Sequence, residues 1–176
     1  MSTEYVLLHD EKSSARILLD NKETAKLKKV DGARYELSNG THNWILSKRV
    51  DGEIRPFSIA VFEADGEDSN LEVLKIKDHL FLYHGNFYMV GGIPESRPPR
   101  EHLSGSKFIC KLTNFPFTHH DHIDPETRNR LKKHRGEVVG EIFGLGSRGF
   151  HVKLENELNE IKLPLTASTY LIYSSI

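Results

Sequence analysis

The sequence predicts an α+β fold that is mainly antiparallel β, a meander or barrel-like sheet with one or two short helices. Period-two patterning is the first observation. Phe57, Ile59 and Val61 alternate with Ser58, Ala60 and Phe62, and similar runs recur from residue 4 to residue 155, which puts successive side chains on opposite faces of a strand. The second is the spacing of turn-forming pairs: Asp31-Gly32, Asn39-Gly40, Asp51-Gly52, Asp65-Gly66 and Gly85-Asn86. Asn-Gly between two strand-like runs is the strongest short-range hairpin signal, because both central residues must accept positive φ. Third, between residues 33 and 92 these runs succeed one another with turns every eight to twelve residues, which favours hairpins over βαβ units.

Taken in order, residues 4–9 form a short apolar run that suits a strand. Two readings compete next. Asp10 would cap a helix over 11–19, or 15–19 would be a strand leading to a helix over 21–29, where Lys22-Glu-Thr-Ala-Lys-Leu-Lys-Lys supplies good helix formers with few apolar anchors. Strands are then expected at 33–38, 41–48, 55–63, 71–76, 79–84 and 87–92. Residues 94–106 make the one long loop, and Pro98-Pro99 forbids ladder pairing there. The chain is read as one domain, 1–176, with any sub-boundary falling in that loop, because 107–113 looks like a strand that needs an existing sheet.

The clearest helix start lies at Asp124-Pro125-Glu126: an N-cap, a preorganised first position and an acid near the positive helix end. Lys132, Lys133 and Arg135 favour the other end, and Gly136 stops the helix. Only Leu131 is strongly apolar, so this helix is short and exposed. The tail is expected to be β again, at 137–143, 150–155, 160–165 and 169–173.

Composition bounds the compartment. Cys110 is the single cysteine of the 176 residues, so no intrachain disulfide forms, which fits a reducing, cytoplasmic setting. The first residues lack the basic start and apolar run of a signal peptide. No apolar run approaches the ~20 residues of a membrane helix. The formal net charge of −1 hides an acidic stretch over 51–78 and a basic one over 97–135, the latter suited to a polar partner.

His119, His120 and His122 lie beside Asp121 and Asp124. In an extended segment His120 and His122 point the same way, which suits a divalent metal if further ligands come from elsewhere. Thr118-His-His-Asp-His-Ile-Asp resembles the His-x-His-x-Asp-His metal loop of metallo-β-lactamase-fold hydrolases, but Pro125 stands where the last His belongs and the chain is too short for that fold's second half. Asp121-His-Ile-Asp-Pro is similar to an element of His-Asn-His nucleases. That resemblance implies His122 as general base and His134 as a metal ligand, although Asn129 is badly spaced for the family's Asn.

Gly144-x-Gly146-x-x-Gly149 matches the spacing of a phosphate loop, but the residues after Gly149 are strand-like and make no helix N-terminus. The glycines are read as supplying positive φ in a hairpin. The tail from Gly136 resembles the first strands of a small OB or SH3-like barrel. This resemblance implies nucleic-acid binding through Phe143, Phe150 and His151 with Arg148 and Lys153, joined by Arg128, Arg130, Lys132 and Lys133 on phosphates. Cys110 is read as core and not as a nucleophile.

The expected function is a small cytosolic non-catalytic binding module, with nucleic acid bound through the basic helix 125–135 and the adjoining hairpin. The alternatives are a protein-interaction protein (inhibitor, immunity or accessory subunit) and a metal-dependent hydrolase or nuclease using His120 and His122. Apart from a divalent metal at those histidines, no cofactor is implied, and the partner is nucleic acid or protein.

Overall fold

Twelve antiparallel strands close into a barrel in a computed structural model that describes residues 2–10, 14–50, 57–64, 71–77, 79–92, 106–112, 137–144 and 148–173. The strands are β1 (Ser2–Asp10), β2 (Ser14–Leu19), β3 (Lys22–Lys29), β4 (Arg34–Ser38), β5 (Asn43–Val50), β6 (Phe57–Glu63), β7 (Glu72–Lys77), β8 (Leu80–Tyr83), β9 (Asn86–Gly92), β10 (Lys107–Leu112), β11 (Glu137–Gly144) and β12 (Gly149–Glu155). Each pairs with its sequence neighbours, and β12 closes on β1 with Leu7 opposite Phe150. Closure gives every described strand a partner on both sides. β9 and β10 pair directly, Ile109 opposite Val90, so the strands on either side of residues 94–106 belong to one sheet, and the loop expected there lies outside the described residues apart from Ser106.

The alternation read from the sequence is the in–out alternation of this barrel. Leu7, Ile17, Leu27, Leu37, Leu46, Ile59, Ile76, Phe81, Ile109, Val152 and Leu154 point inward and are buried. Leu80, Phe87 and Leu112, with Met89 against them, form a second apolar cluster apart from the main core. Cys110 is buried, as expected, and burial pushes its thiol up to about 11.

Two segments differ in type from the sequence-based expectation. Residues 22–29 are a strand and not a helix. Asp20 and Asn21 both adopt positive φ, 53° and 64°, which makes a two-residue hairpin turn from β2 into β3. Ala25 and Leu27 then face the core while Lys26 and Lys28 face out, so burial on one face overrides the helix propensity of the lysines and Glu23. The second correction is the tail. Residues expected as strands at 160–165 and 169–173 form the end of a 3-10 segment, Asn156–Ile161, and a helix, α1 (Lys162–Tyr173).

α1 threads the barrel. Lys162 and residues 164–171 are all buried, and a helix buried on every side belongs in a core. At its start Lys162 Nζ donates to Thr3 Oγ1 (2.6 Å) and Asn156 Oδ1 (3.2 Å). Near its end Tyr170 hydrogen-bonds His9 Nδ1, and Lys48 Nζ donates to the Leu171 carbonyl (2.7 Å). Thr3 and His9 lie near opposite ends of β1, about 20 Å apart at strand rise. The 12 residues of α1 span about 18 Å, so the helix matches the length of the barrel it fills. Its own hydroxyls are turned back onto the helix: Ser168 Oγ donates to the Pro164 carbonyl and Thr169 Oγ1 to the Thr166 carbonyl, both at 2.7 Å.

Turns obey local chemistry. Asn39 Oδ1 accepts from the amides of Thr41 (2.9 Å) and His42 (2.7 Å), and Gly40 takes φ 88°. The β8–β9 turn uses His84 and Gly85, at φ 48° and 79°, one residue earlier than the Gly85-Asn86 expected. Gly149 is fixed by contact: a Cβ there would lie 1.8 Å from the Leu7 carbonyl oxygen.

Candidate nucleic-acid interface

Of the residues the sequence suggests for nucleic acid, Arg128, Arg130, Lys132, Lys133 and the helix expected over 125–135 lie outside the described residues, as do His120, His122 and His134. The structure places the others. Phe150 turns into the barrel, where it stacks on Tyr170 with centroids 5.7 Å apart. It therefore presents no face to a base. Lys153 is exposed, but its register neighbours on both sides are acids, Glu4 and Glu141. Arg148 is exposed where the chain enters β12. Phe143 lies parallel to His151 (4.7 Å, 4°), whose Nδ1 is held by Glu4 Oε1 at 2.6 Å. The β1–β12–β11 wall is thus a mixed-charge surface. Among the described residues no group of three or more His, Cys, Asp or Glu is placed to hold a metal.

One barrel mouth carries a polar cluster built around the 3-10 segment. Tyr88 donates to Glu157 Oε2 (2.9 Å), which also meets Lys111 Nζ at 3.5 Å. His84 Nε2 lies 3.0 Å from Glu160 Oε2, and Tyr83 donates to the same oxygen at 3.5 Å. Burial, then the hydrogen bond to Glu157, pushes the Tyr88 phenol well above the ordinary tyrosine range. Burial, then the charge of Glu160, also raises Tyr83. Both carboxylates are bound to the wall, so the cluster fastens the 3-10 segment that leads into α1.

The opposite part of the wall, β4 to β7, has a different character. Arg34 pairs with Ser47, Ser47 with Ala60, and Ala60 with Lys75. One row further along, Arg49 pairs with Ser58 and Ser58 with Lys77. Their strand neighbours Leu46, Ile59 and Ile76 are buried inside, so both rows face outward. Arg34, Arg49 and Lys75 are exposed and Lys77 is half-buried. The floor between them is Ser47, Ser58 and Ala60, whose side chains are short. At the 4.7–4.9 Å spacing of strands, Arg34 and Lys75 are about 14 Å apart along the wall. Such an arrangement offers a rigid, regularly spaced set of cations on the outside of the barrel.

The sequence carries no signal for this surface. Its four cations are scattered from residue 34 to residue 77, and only the pairing register aligns them. Lys75 and Lys77 even fall within the stretch that reads as acidic.

No described helix is long and apolar enough to cross a membrane. Comparison of the chain with protein-family models, with curated proteins and with solved structures finds no match.

Proposed function

We propose that this chain is a non-catalytic binding module that holds nucleic acid on the outer β4–β7 wall of its barrel. The observation that carries the reading is the register that aligns Arg34 with Lys75, and Arg49 with Lys77, across a floor of Ser47, Ser58 and Ala60. The lumen is filled by the chain's own helix, which leaves the outside of the barrel as contact surface. Cations on a rigid sheet suit a partner with regularly spaced negative charge, and nucleic acid supplies it.

The test is the salt dependence of binding. With about four phosphates neutralised, the logarithm of affinity falls with the logarithm of salt at a slope of roughly −3 for single strands. Arg34→Gln with Lys75→Gln lowers affinity and makes the slope shallower by about 1.4. Absent or salt-independent binding overturns the reading, and so does binding to anionic vesicles with none to RNA or DNA.

A further inference from the structure

We infer that the β4–β7 wall selects single-stranded over duplex nucleic acid, with Phe62 as the platform on which a base stacks; this rests on the reading of that wall as a nucleic-acid surface. A further row of side chains lies beside the cations. Glu36 pairs with Ile45, Ile45 with Phe62, and Phe62 with Glu72. On β4–β6 it is an outward row, because Leu37, Leu46 and Val61 beside it are buried inside, and on β7 the register shift opposite Val61/Phe62 brings exposed Glu72 level with Phe62. On β4, β5 and β6 two residues separate it from the Arg34–Ser47–Ala60–Lys75 row, about 7 Å along the strands, and on β7 the register shift at Val61/Phe62 makes the separation from Lys75 to Glu72 three residues. The wall is therefore sorted: two rows of cations, then a row with an aromatic and an aliphatic side chain at its centre and a carboxylate at each end.

That sorting matches the two halves of a nucleotide. A backbone lying across the strands over Ser47 and Ala60 meets Arg34 and Lys75 at its phosphates. Glu36 and Glu72 repel phosphate from the neighbouring row, which fixes the direction in which bases are turned. Bases turned that way lie over Ile45 and half-buried Phe62, and the two carboxylates accept from exocyclic amino groups, which adenine and cytosine carry. A duplex keeps its base faces stacked inside, so it gains the phosphate contacts alone. Aromatic platforms beside a cationic track are how sequence-tolerant single-strand binders gain affinity.

The experiment uses the full chain with a short mixed-sequence DNA oligonucleotide, single-stranded and annealed to its complement, carrying 2-aminopurine at a central position. The expected result is tighter binding of the single strand and a change in 2-aminopurine fluorescence on binding. Phe62→Leu, which keeps apolar bulk in the wall, abolishes the fluorescence change and weakens single-strand binding about five- to a hundredfold. It leaves duplex binding unchanged. Equal or tighter duplex binding, with Phe62→Leu indistinguishable from the parent, overturns single-strand selection while the phosphate-binding wall stands. Binding of neither form overturns both.

Discussion

Lys48 and Arg49 are consecutive residues of β5 that serve opposite sides of the barrel. Lys48 Nζ reaches inward and donates to the Leu171 carbonyl in the last turn of α1 (2.7 Å), whereas Arg49 faces out beside Ser58. An ammonium on a carbonyl at a helix C-terminus satisfies an otherwise orphaned acceptor and complements the negative end of the helix dipole.

The two residues should therefore separate stability from binding. Lys48→Met is expected to cost about 1.5–3 kcal/mol in urea unfolding, the worth of a hydrogen bond with a charged partner. Arg49→Gln is expected to stay within about 0.5 kcal/mol of the parent while weakening nucleic-acid binding. Equal stability of the two variants would mean that Lys48 does not anchor the helix.

Gly149 and Gly32 make a second pair. A Cβ at Gly149 would lie 1.8 Å from the Leu7 carbonyl oxygen, and one at Gly32 would meet nothing within 4 Å. Gly149→Ala is expected to cost about 3 kcal/mol or more, or to prevent folding, because β1 and β12 must separate where the barrel closes. Gly32→Ala should be near neutral. Thermal melting of both variants checks this.

Much of this fold was legible in the sequence because a half-buried strand writes its period into the chain. Leu37 and Trp44 lie on either side of Asn39-Gly40, and the structure pairs them across β4 and β5. The helix inside the barrel was not legible. Leu163, Leu165, Tyr170, Leu171 and Ile172 suit a buried strand as well as a buried helix, and an element covered on every side shows neither period two nor an apolar stripe. Asp20-Asn21 hid β3 in a similar way, because the lysines after it favour a helix and only the turn geometry forces pairing with β2. The cationic wall was the least legible feature, since the sequence does not state which residue of β4 lies opposite which residue of β5.

Thr166 gives a third prediction. Its hydroxyl is buried in the core and has no hydrogen-bond partner among the described residues. Thr166→Val keeps the shape and removes the unpaired group, so the variant is expected to be more stable by about 1 kcal/mol, read as a higher melting temperature. A loss of stability of that size would mean the hydroxyl is bonded.

Alkaline pH should loosen the barrel. Burial raises the Cys110 thiol from 9.0 to about 11 and the Tyr173 phenol from 10.0 to about 12. The unfolded chain gives up these protons first, so their contribution is fully present below about pH 9 and is lost as pH rises through about 12. Between about pH 8 and about pH 11 the unfolding free energy should fall by on the order of 2–4 kcal/mol. In Cys110→Ala the fall should begin nearer pH 10. Urea titrations at a series of pH values decide it, and a flat profile to about pH 11 contradicts the assignment.

The most direct measurement is a nuclear magnetic resonance titration of the full chain with a single-stranded oligonucleotide, monitored through backbone amide shifts. Binding on the outer wall predicts that the largest changes fall on Ser47, Arg49, Ser58, Ala60 and Lys75, and fade when salt is raised. Shifts confined to α1, to the mouth around Glu157 and Glu160, or to the β11–β12 hairpin would contradict it.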